Sequence, residues 1–287
     1  MDKKYTAKEL DLLHAELYDI LGETIRICRK HDIPYFVIGG TAIGALYDRA
    51  ILPWDDDIDI GMARKDYNRF LEVAPRELGD SYFLSWIETD PHSPYYYAKV
   101  KKNNTLFVEE MFKNVPMHPG IFVDIFPFDR IPDNKLLRKL QYDAAGFLKC
   151  CLMGKEIWMW KHFGKCEIEH PTDRGAFSCF LNKAVDVLFS KKTIYRMLVA
   201  VQSCFNSWNT KYFNNVMTTT DHVTGESLRH LQPVLFGPLT VNAPDNLEGF
   251  LRYNYPTLHR FTKEEQEKVN NHYPAALSFS TTPKQEL

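Results

Sequence analysis

The chain has 287 residues, of which 45% are hydrophobic and 25% are charged. This mixture is typical of a globular protein, and it excludes a disordered or a collagen-like chain. The 35 Lys and Arg residues and the 37 Asp and Glu residues give a formal net charge of −2, so no overall basic field attracts a polyanion. We therefore expect no nucleic-acid partner.

We also expect neither a secretory signal nor a membrane span. The N-terminal segment alternates charged and apolar side chains and lacks the continuous apolar core of a signal peptide. No run reaches the roughly 18 consecutive apolar residues that a spanning helix needs. The six cysteines include no Cys-x-x-Cys pair, which favours buried reduced thiols over a metal site or disulfides. These features predict a cytoplasmic protein.

Helices and strands alternate in the first part of the chain. Thr6 and Glu9 have capping-box spacing, and apolar residues then recur every three or four positions, which predicts an amphipathic helix ending near His31. The apolar run 35–38 predicts a strand that stops at a glycine turn. The next patterns predict helices over 41–49 and 66–78 and strands over 58–60, 82–87, 96–100, 106–108 and 121–126.

The pattern changes near residue 133. After Asn134, apolar residues recur with helical spacing up to residue 151 and again over 177–208. We therefore predict an α+β protein. Its core, residues 1–133, is a mixed sheet flanked by helices that include the N-terminal one, and residues 134–287 form a mainly helical part packed on that core.

Four carboxylates fall close together in the string Pro53-Trp54-Asp55-Asp56-Asp57-Ile58-Asp59-Ile60. With an ordinary pKa of about 3.9, all four are ionised at pH 7 in water. Side chains alternate along a strand, so Asp57 and Asp59 share one face and the isoleucines face the core. Two carboxylates about 4 Å apart repel by about 4 kcal/mol at an effective dielectric constant of 20. A hard divalent cation with oxygen ligands removes this repulsion, so we predict a metal site.

A solvated acidic turn is the alternative interpretation, and it accounts for Asp55 and Asp56. It does not account for Asp59, because the alternation with isoleucines places this residue inside a strand, where Asp is depleted. Asp124 stands between apolar residues of another strand, and taken alone it is typical of an edge-strand residue that faces water. On a strand next to Asp57 and Asp59, it becomes the third carboxylate of the site.

The glycine turn, the helix, the Asp-x-Asp strand and the later Asp resemble the signature of the nucleotidyltransferase superfamily. The narrower string from Gly40 to Met62, with Pro-Trp-Asp-Asp-Asp-Ile-Asp at its centre, resembles the LicD family, to which the fukutin-type transferases are related. The stretches Ala98–Val100 and Phe122–Asp129 agree as well, and the resemblance covers roughly residues 20 to 132.

The resemblance is weaker in the tail. Leu235-Phe236-Gly237 agrees with the family, as does a proline-led helix expected near Pro244. The family usually has a Tyr-Gly pair near the C-terminus, where this chain has Tyr253-Asn254-Tyr255. The region that would bind the acceptor does not match residue by residue.

This resemblance implies a nucleotidyltransferase-like fold and a phosphotransferase. The enzyme would move a phospho-alcohol, first of all phosphocholine from CDP-choline, to a hydroxyl group of a surface glycan such as lipopolysaccharide or teichoic acid. The fukutin-type relatives imply the alternative of ribitol or glycerol phosphate from a CDP-linked donor. Residues 134–287 would bind the glycan acceptor, and a lipid-linked acceptor would bring the protein to the inner face of the membrane.

Two further functions stay open. Within the same fold, a nucleoside monophosphate is transferred from an NTP to a small acceptor by antibiotic-modifying enzymes, and donor choice separates this activity from the first. A non-catalytic protein that binds a glycan or a nucleotide is the other alternative. Three strand carboxylates argue against it, because an inactive scaffold has no physical need for them.

The resemblance also implies roles for individual residues. Asp57, Asp59 and Asp124 would be catalytic and would hold one or two Mg²⁺ or Mn²⁺ ions, and Asp124 would also serve as general base. The turn Gly39-Gly40-Thr41 would present N–H groups and a hydroxyl to a phosphate at a helix N-terminus. An ordinary helix start is the alternative for this turn.

The remaining candidates concern substrate contacts. Trp54 and Asp55 would contact substrate, and Lys99 would contact a donor phosphate, with a surface lysine as the alternative. Choline is usually held over aromatic faces. The candidates for that contact are Tyr95 to Tyr97, Trp158 and Trp160. A histidine near the C-terminal end, His272, could also reach the site.

Overall fold

The computed structural model describes residues 4–162, 184–185, 187–269 and 273–280. The helices are α1 (Ala7–Lys30), α2 (Gly39–Tyr47), α3 (Arg64–Glu77), α4 (Lys135–His162), α5 (Lys191–Ser203), α6 (Gly225–Arg229), α7 (Leu247–Asn254) and α8 (Lys263–Lys268). The strands are β1 (Phe36–Val37), β2 (Asp59–Ala63), β3 (Tyr82–Ser85), β4 (Ala98–Lys102), β5 (Leu106–Val108), β6 (Phe122–Ile131), β7 (Tyr212–Asn214), β8 (Val223–Thr224), β9 (Gln232–Phe236), β10 (Leu239–Ala243) and β11 (Ala276–Ser278).

A mixed sheet with strand order β1-β2-β6-β4-β3 forms the centre of the protein. β2 and β6 run parallel, and the other neighbours in this order are antiparallel. The far end of β6 pairs with β7, which pairs with β8. β9 and β10 form a hairpin, and β5 pairs with β11. This sheet and its helices confirm the predicted α+β class.

Strand β6 lies in the interior of the sheet between β2 and β4. Successive residues along β6 are buried, rather than alternate ones, so both faces of the sheet are covered. Helices α1 and α3 pack against this strand. The position of β6 excludes an edge-strand interpretation of Asp124, which is only 5% exposed.

Helix α1 begins and ends where the sequence predicts. The side chain of Thr6 accepts a hydrogen bond from the Glu9 N–H, and the Glu9 carboxylate accepts one from the Thr6 N–H, which completes the capping box. Such a cap stabilises a helix by about 1 kcal/mol. His31 is the C-terminal cap residue. The apolar face of the helix is buried in the core and includes Leu13, Leu17, Ile20, Leu21 and Cys28.

The end of the chain contributes to the core of its beginning. Val241 in β10 and Phe250 and Leu251 in α7 belong to the same buried cluster as Leu17 and Ile60. Helices α4 and α5 pack on each other and contribute to a second cluster beneath the end of β6. Described residues of the later part of the chain thus contribute to both buried clusters.

Some element bounds differ from the predicted ones. Helix α2 starts at Gly39, whose φ of +54° lets the chain turn directly from β1 into the helix. β4 begins and ends two residues later than predicted, because it pairs with β3 as far as Lys102 and with β6 as far as Lys101. β6 continues to Ile131 because it exchanges its partner β2 for β7 after residue 128.

The described chain after Ser203 contains five strands besides helices α6, α7 and α8, whereas the sequence predicts mainly helix there. These strands have only two to five residues. Segments of that length are too short to display an alternating apolar pattern, so periodicity does not detect them. Pairing with distant strands or within the β9–β10 hairpin holds them in place.

A buried ion pair joins the sheet to the later helices. Arg64, the first residue of α3, donates through Nε to Asp129 Oδ1 at 3.0 Å, and Asp129 is fully buried. Gln202 at the end of α5 accepts from the same guanidinium at 3.1 Å, and Asn206 donates to Asp129 at 2.6 Å. The pair therefore connects α3, β6 and α5.

We predict that Asp129→Asn lowers the free energy of unfolding by about 3 to 5 kcal/mol, because it leaves the buried Arg64 guanidinium without a counter-charge. Urea denaturation checks this value. The matched control is Asp143→Asn, which breaks the exposed pair with Lys139 and should cost less than about 0.5 kcal/mol. Equal losses for both variants would contradict the structural role of Asp129.

Candidate active site

Three neighbouring strands bring charged side chains into register. Asp59 in β2 is the pairing partner of Asp124 in β6, and Asp124 is also the pairing partner of Lys99 in β4. The Asp124 N–H donates to the Ile58 carbonyl at 2.9 Å, which extends the β2–β6 pairing toward Asp57. The sequence places these residues on neighbouring strands only by inference, whereas the sheet brings them side by side.

The glycine turn builds one wall of the site. The Thr41 hydroxyl accepts a hydrogen bond from the Asp59 N–H at 2.8 Å, so the start of α2 fixes the start of β2. Oδ2 of Asp55 lies 2.6 Å from the point where a Cβ on Gly40 would be. A side chain at position 40 would therefore displace this carboxylate.

The acidic loop before β2 contains Asp55, Asp56 and Asp57. It is anchored by contacts with α1 and with the segment that precedes α1. The Tyr5 hydroxyl donates to Asp56 Oδ2 at 2.8 Å, and the His14 ring bonds to the Asp55 carbonyl at 2.8 Å. Trp54 packs edge-to-face against Phe261. These contacts bring carboxylate oxygens of Asp55, Asp56 and Asp57 within 4.8 Å of one another.

Lys99 is buried at the centre of the site. Its Nζ lies 2.9 Å from Oδ1 of Asp124 and 3.4 Å and 4.1 Å from the ring centres of Phe122 and Tyr95. The side chain is 2% exposed, so the surface-lysine alternative is wrong. Burial lowers the pKa of Lys99, and the adjacent Asp124 carboxylate acts in the opposite direction.

Burial and mutual repulsion raise the pKa of the site carboxylates. Burial is the larger cause for Asp57 and Asp59, and the charges of Asp59 and Asp124, respectively, come next. The pKa of Asp124 is also raised by burial, against the opposing effect of Lys99. Burial and the neighbouring Asp56 raise the pKa of Asp55 to about 7. One ammonium does not compensate this many desolvated carboxylates.

Comparison with known proteins identifies the part of the chain that carries this site. Residues 32–149 match the family model described as LicD/FKTN/FKRP, nucleotidyltransferase domain. We refer to this matched region as the LicD-family domain. Asp57, Asp59, Lys99 and Asp124 all lie inside it.

Three curated proteins are similar to the chain. The match to the lipopolysaccharide cholinephosphotransferase LicD of Haemophilus influenzae is 29% identical over 196 residues and covers 66% of either chain. An uncharacterized protein of Rickettsia typhi is 27% identical over 140 residues, covering 49% of this chain and 42% of its own. An uncharacterized protein of Rickettsia prowazekii is 33% identical over 60 residues, covering 21% and 23%. The chain thus spans less than two thirds of the length of these relatives.

Glu109 belongs to the site, although the sequence analysis does not select it. The Tyr95 hydroxyl donates a hydrogen bond to Glu109, and the ring of Tyr95 lies against the ammonium of Lys99. Burial raises the pKa of Glu109 to about 8, and the charges of Asp124 and Asp56 add to the effect. Its place after the short strand β5, next to the exposed Glu110, gives no sequence signal that distinguishes the two glutamates.

Asp221 is a second residue that the sequence analysis does not select, and it lies outside the LicD-family domain. Its Oδ1 accepts from the Gly39 N–H at 3.3 Å and from the Tyr255 hydroxyl at 3.2 Å. Burial raises its pKa, and its charge contributes to the raised pKa of Asp59. The contact joins residues that are 182 positions apart in the chain, so no local pattern indicates it.

The structure assembles the selected residues around one site within the LicD-family domain. Asp57, Asp59, Asp124 and Lys99 interact electrostatically, and the Gly39-Gly40-Thr41 turn, Trp54 and Asp55 border them. Tyr95 and Tyr97 are close to Lys99, whose ammonium covers the Tyr95 ring. The side chains of Trp158 and Trp160, and residue His272, lie outside the described residues.

The donor set of the LicD-family domain fits a hard divalent cation. Mg²⁺ prefers carboxylate oxygens, and Asp55, Asp56 and Asp57 offer them within 4.8 Å. Asp57 and Asp59 are buried beside other carboxylates, which raises their pKa, and a cation would neutralise this concentration of negative charge. The individual metal ligands, and the choice of Mg²⁺ or Mn²⁺, stay predictions.

No helix among the described residues combines the length and the apolar character needed to cross a membrane.

We predict that the metal-free protein loses stability as the pH rises from about 5 to 8. Folding raises the Glu109 pKa from 4.5 to about 8, so the folded state binds more protons in this range than the unfolded state. The contribution of Glu109 to stability is therefore fully present at low pH, and it is lost as the pH rises through the pKa of the folded state. Urea denaturation in EDTA at a series of pH values measures this fall.

Glu109→Gln should flatten the fall, most of all above pH 6, because it removes one of the buried titrating groups. Glu110→Gln changes an adjacent glutamate whose side chain is 64% exposed, and it should leave the curve unchanged. A rise in stability over this range, or the same curve for Glu109→Gln and the parent protein, would contradict the prediction.

Proposed function

We propose that this protein transfers phosphocholine from CDP-choline to a hydroxyl group of a glycan, with the help of Mg²⁺ or Mn²⁺. The observation that carries the proposal is the in-register placement of Asp59 and Asp124 beside the acidic loop, within a LicD-family domain. The similarity to a protein named lipopolysaccharide cholinephosphotransferase supports phosphocholine as the transferred group and lipopolysaccharide as the class of acceptor.

Phosphoryl transfer requires positioning and charge stabilisation more than covalent chemistry by the protein. The acceptor oxygen forms a bond to the phosphorus that carries choline, and the bond from this phosphorus to the bridging oxygen breaks. CMP leaves with the bonding electron pair. Asp124 accepts the proton of the acceptor hydroxyl as general base.

The other groups of the site bind the donor in this proposal. A cation held by Asp57, Asp59 and the acidic loop would neutralise the diphosphate. Lys99 orients Asp124 through their ion pair and adds positive charge beside the transferred phosphate. The start of α2 provides backbone N–H groups that lack partners within the helix, and a phosphate oxygen is their natural acceptor.

Release of CMP tests this proposal. CDP-choline, CDP-ribitol and CDP-glycerol are incubated with Mg²⁺ or Mn²⁺ and with lipopolysaccharide as acceptor, and CTP and ATP serve as control donors. We expect metal-dependent consumption of CDP-choline. Asp57→Asn, Asp59→Asn and Asp124→Asn should each slow it by at least about a hundredfold. The exposed Asp143→Asn should retain the parent rate.

Each other outcome has a defined meaning. If only CDP-ribitol or CDP-glycerol is turned over, the transferred group is ribitol phosphate or glycerol phosphate instead of phosphocholine. If only the NTPs are consumed, the reaction is nucleoside monophosphate transfer. Turnover without metal rejects the cation. Silence with every donor and acceptor, in protein shown to be folded, rejects the transferase.

We further predict that Gly40→Ala impairs CMP release while leaving the fold intact. The new Cβ would lie 2.6 Å from Oδ2 of Asp55, so this carboxylate must rotate out of the acidic loop. Because only the end of a side chain moves, stability should change by less than about 1 kcal/mol.

Gly146→Ala is the matched control, since no atom lies within 4 Å of its added Cβ. This change should leave CMP release unaffected, and it should stabilise α4 by about 0.5 to 1 kcal/mol. Full activity of Gly40→Ala would show that the position of Asp55 does not matter for the reaction.

A further inference from the structure

A cavity of about 240 Å³ is lined by residues between 212 and 253, which lie outside the LicD-family domain. Its lining combines aromatic rings with polar groups and includes Tyr212, His222, Ser227, Asp245, Phe250 and Tyr253. Pockets for drug-sized ligands have volumes of roughly 300 to 1,000 Å³. The cavity therefore fits one small ring, and it is too small for a nucleoside diphosphate donor.

One wall of the cavity is aromatic. The rings of Tyr212 and Tyr253 stack at 5.4 Å with an angle of 15° between their planes, and His222 contacts both edge-on. The side chains of Tyr212 and Tyr253 also share a hydrogen bond. Tyr253 is 53% exposed, so a ligand can approach its side chain from solvent.

The polar wall provides hydrogen-bonding groups beside these rings. The Asp245 carboxylate is an acceptor, and the Ser227 hydroxyl both donates and accepts. A sugar ring has an apolar C–H face and a rim of hydroxyl groups, so it matches an aromatic wall beside a polar one. A purely apolar ligand would make no hydrogen bond to this polar wall, in which Ser227 accepts from the Thr224 hydroxyl at 2.9 Å.

The charges around the cavity favour a sugar over a choline head group as its ligand. The Nζ of Lys211 lies 5.0 Å from the centre of the Tyr212 ring. Burial lowers the pKa of the neighbouring His222, and the positive charge of Arg138 adds to this effect. Two cations therefore lie near the cavity, whose described lining contains one carboxylate, that of Asp245. This environment disfavours a quaternary ammonium group, whereas a neutral sugar pays no such cost.

Three consecutive residues at the end of α7 connect the cavity to the candidate active site. Tyr253 lines the cavity, and the Asn254 side chain donates to the His222 carbonyl and accepts from its N–H at 3.1 and 2.8 Å. Tyr255 donates to Asp221, which accepts from the Gly39 N–H. His222 faces the cavity and Asp221 faces the active site, and their Cα atoms are about 3.8 Å apart along the chain.

We propose that this cavity binds one sugar residue of the acceptor glycan, adjacent to the residue that receives the phospho-alcohol. The identity of this sugar as part of the acceptor rests on the proposed function. Sugar binding by the cavity does not depend on that function. The Asn254 clamp fixes the segment between the two places, so a bound glycan extends from the cavity across Asp221 toward Asp124.

Saturation-transfer NMR tests the cavity without donor or metal. The probes are the methyl glycosides of glucose, galactose and N-acetylglucosamine, with choline as a cationic comparison. We expect at least one glycoside to receive saturation from the protein and Tyr253→Ala to reduce the signal at least fivefold. Trp208→Ala is the matched control, because it removes an aromatic side chain that is 52% exposed elsewhere, and it should leave the signal unchanged.

A kinetic measurement gives a second, independent result. Tyr253→Ala should raise the KM for the glycan acceptor at least tenfold while the KM for CDP-choline stays the same, because the cavity does not contact the donor. A merely structural role of Tyr253 would instead lower kcat with both KM values unchanged.

Three outcomes overturn the inference: no glycoside receives saturation, Tyr253→Ala retains the full signal, or choline replaces the glycosides in a Tyr253-dependent way. Failure of the proposed function is distinguishable from these. If CDP-choline is not consumed but a glycoside signal depends on Tyr253, the transferase proposal fails and the sugar site stands. If CDP-choline is consumed and no glycoside binds, the sugar site alone fails.

Discussion

Like-charged carboxylates held out of water beside one another are the constraint on which the rest of the structure depends. Parallel pairing of β2 and β6 sets Asp59 against Asp124, and antiparallel pairing of β4 adds Lys99. Burial raises the pKa of both carboxylates, and one ammonium offsets only part of their repulsion. Such an arrangement is costly without a ligand, and proteins concentrate perturbed groups of this kind at functional sites.

The surrounding fold holds this costly arrangement in place by hydrogen bonds from neighbouring elements. The Thr41 hydroxyl fixes the Asp59 backbone, and Tyr5 and His14 hold the acidic loop against α1. Further along β6, the fully buried Asp129 is paired with an arginine and is part of the support. These two aspartates of one strand differ because Asp129 has an arginine of its own, whereas Asp124 shares Lys99 with Asp57 and Asp59.

The proposed chemistry divides between two environments of opposite charge. The acidic end of the sheet attracts cations and, through them, a diphosphate, whereas the aromatic cavity next to it has cations of its own nearby. The end of α7 joins the two by holding the segment that contains Asp221 and His222. A transferase that must keep donor and acceptor apart until they meet at one phosphorus atom gains orientation from this separation.

Local features of this protein follow from the amino-acid sequence alone: the capped α1, the glycine turn, the acidic string and the isolated Asp124. Capping, turns and strand alternation depend on near neighbours in the chain. The burial of Lys99 and the presence of Glu109 and Asp221 in the site emerge only in the folded chain. These residues meet their partners through pairing of distant strands or across most of the chain, and a contact over 182 positions leaves no periodic signal. Their functional character comes from desolvation, which depends on what the folded chain packs around them.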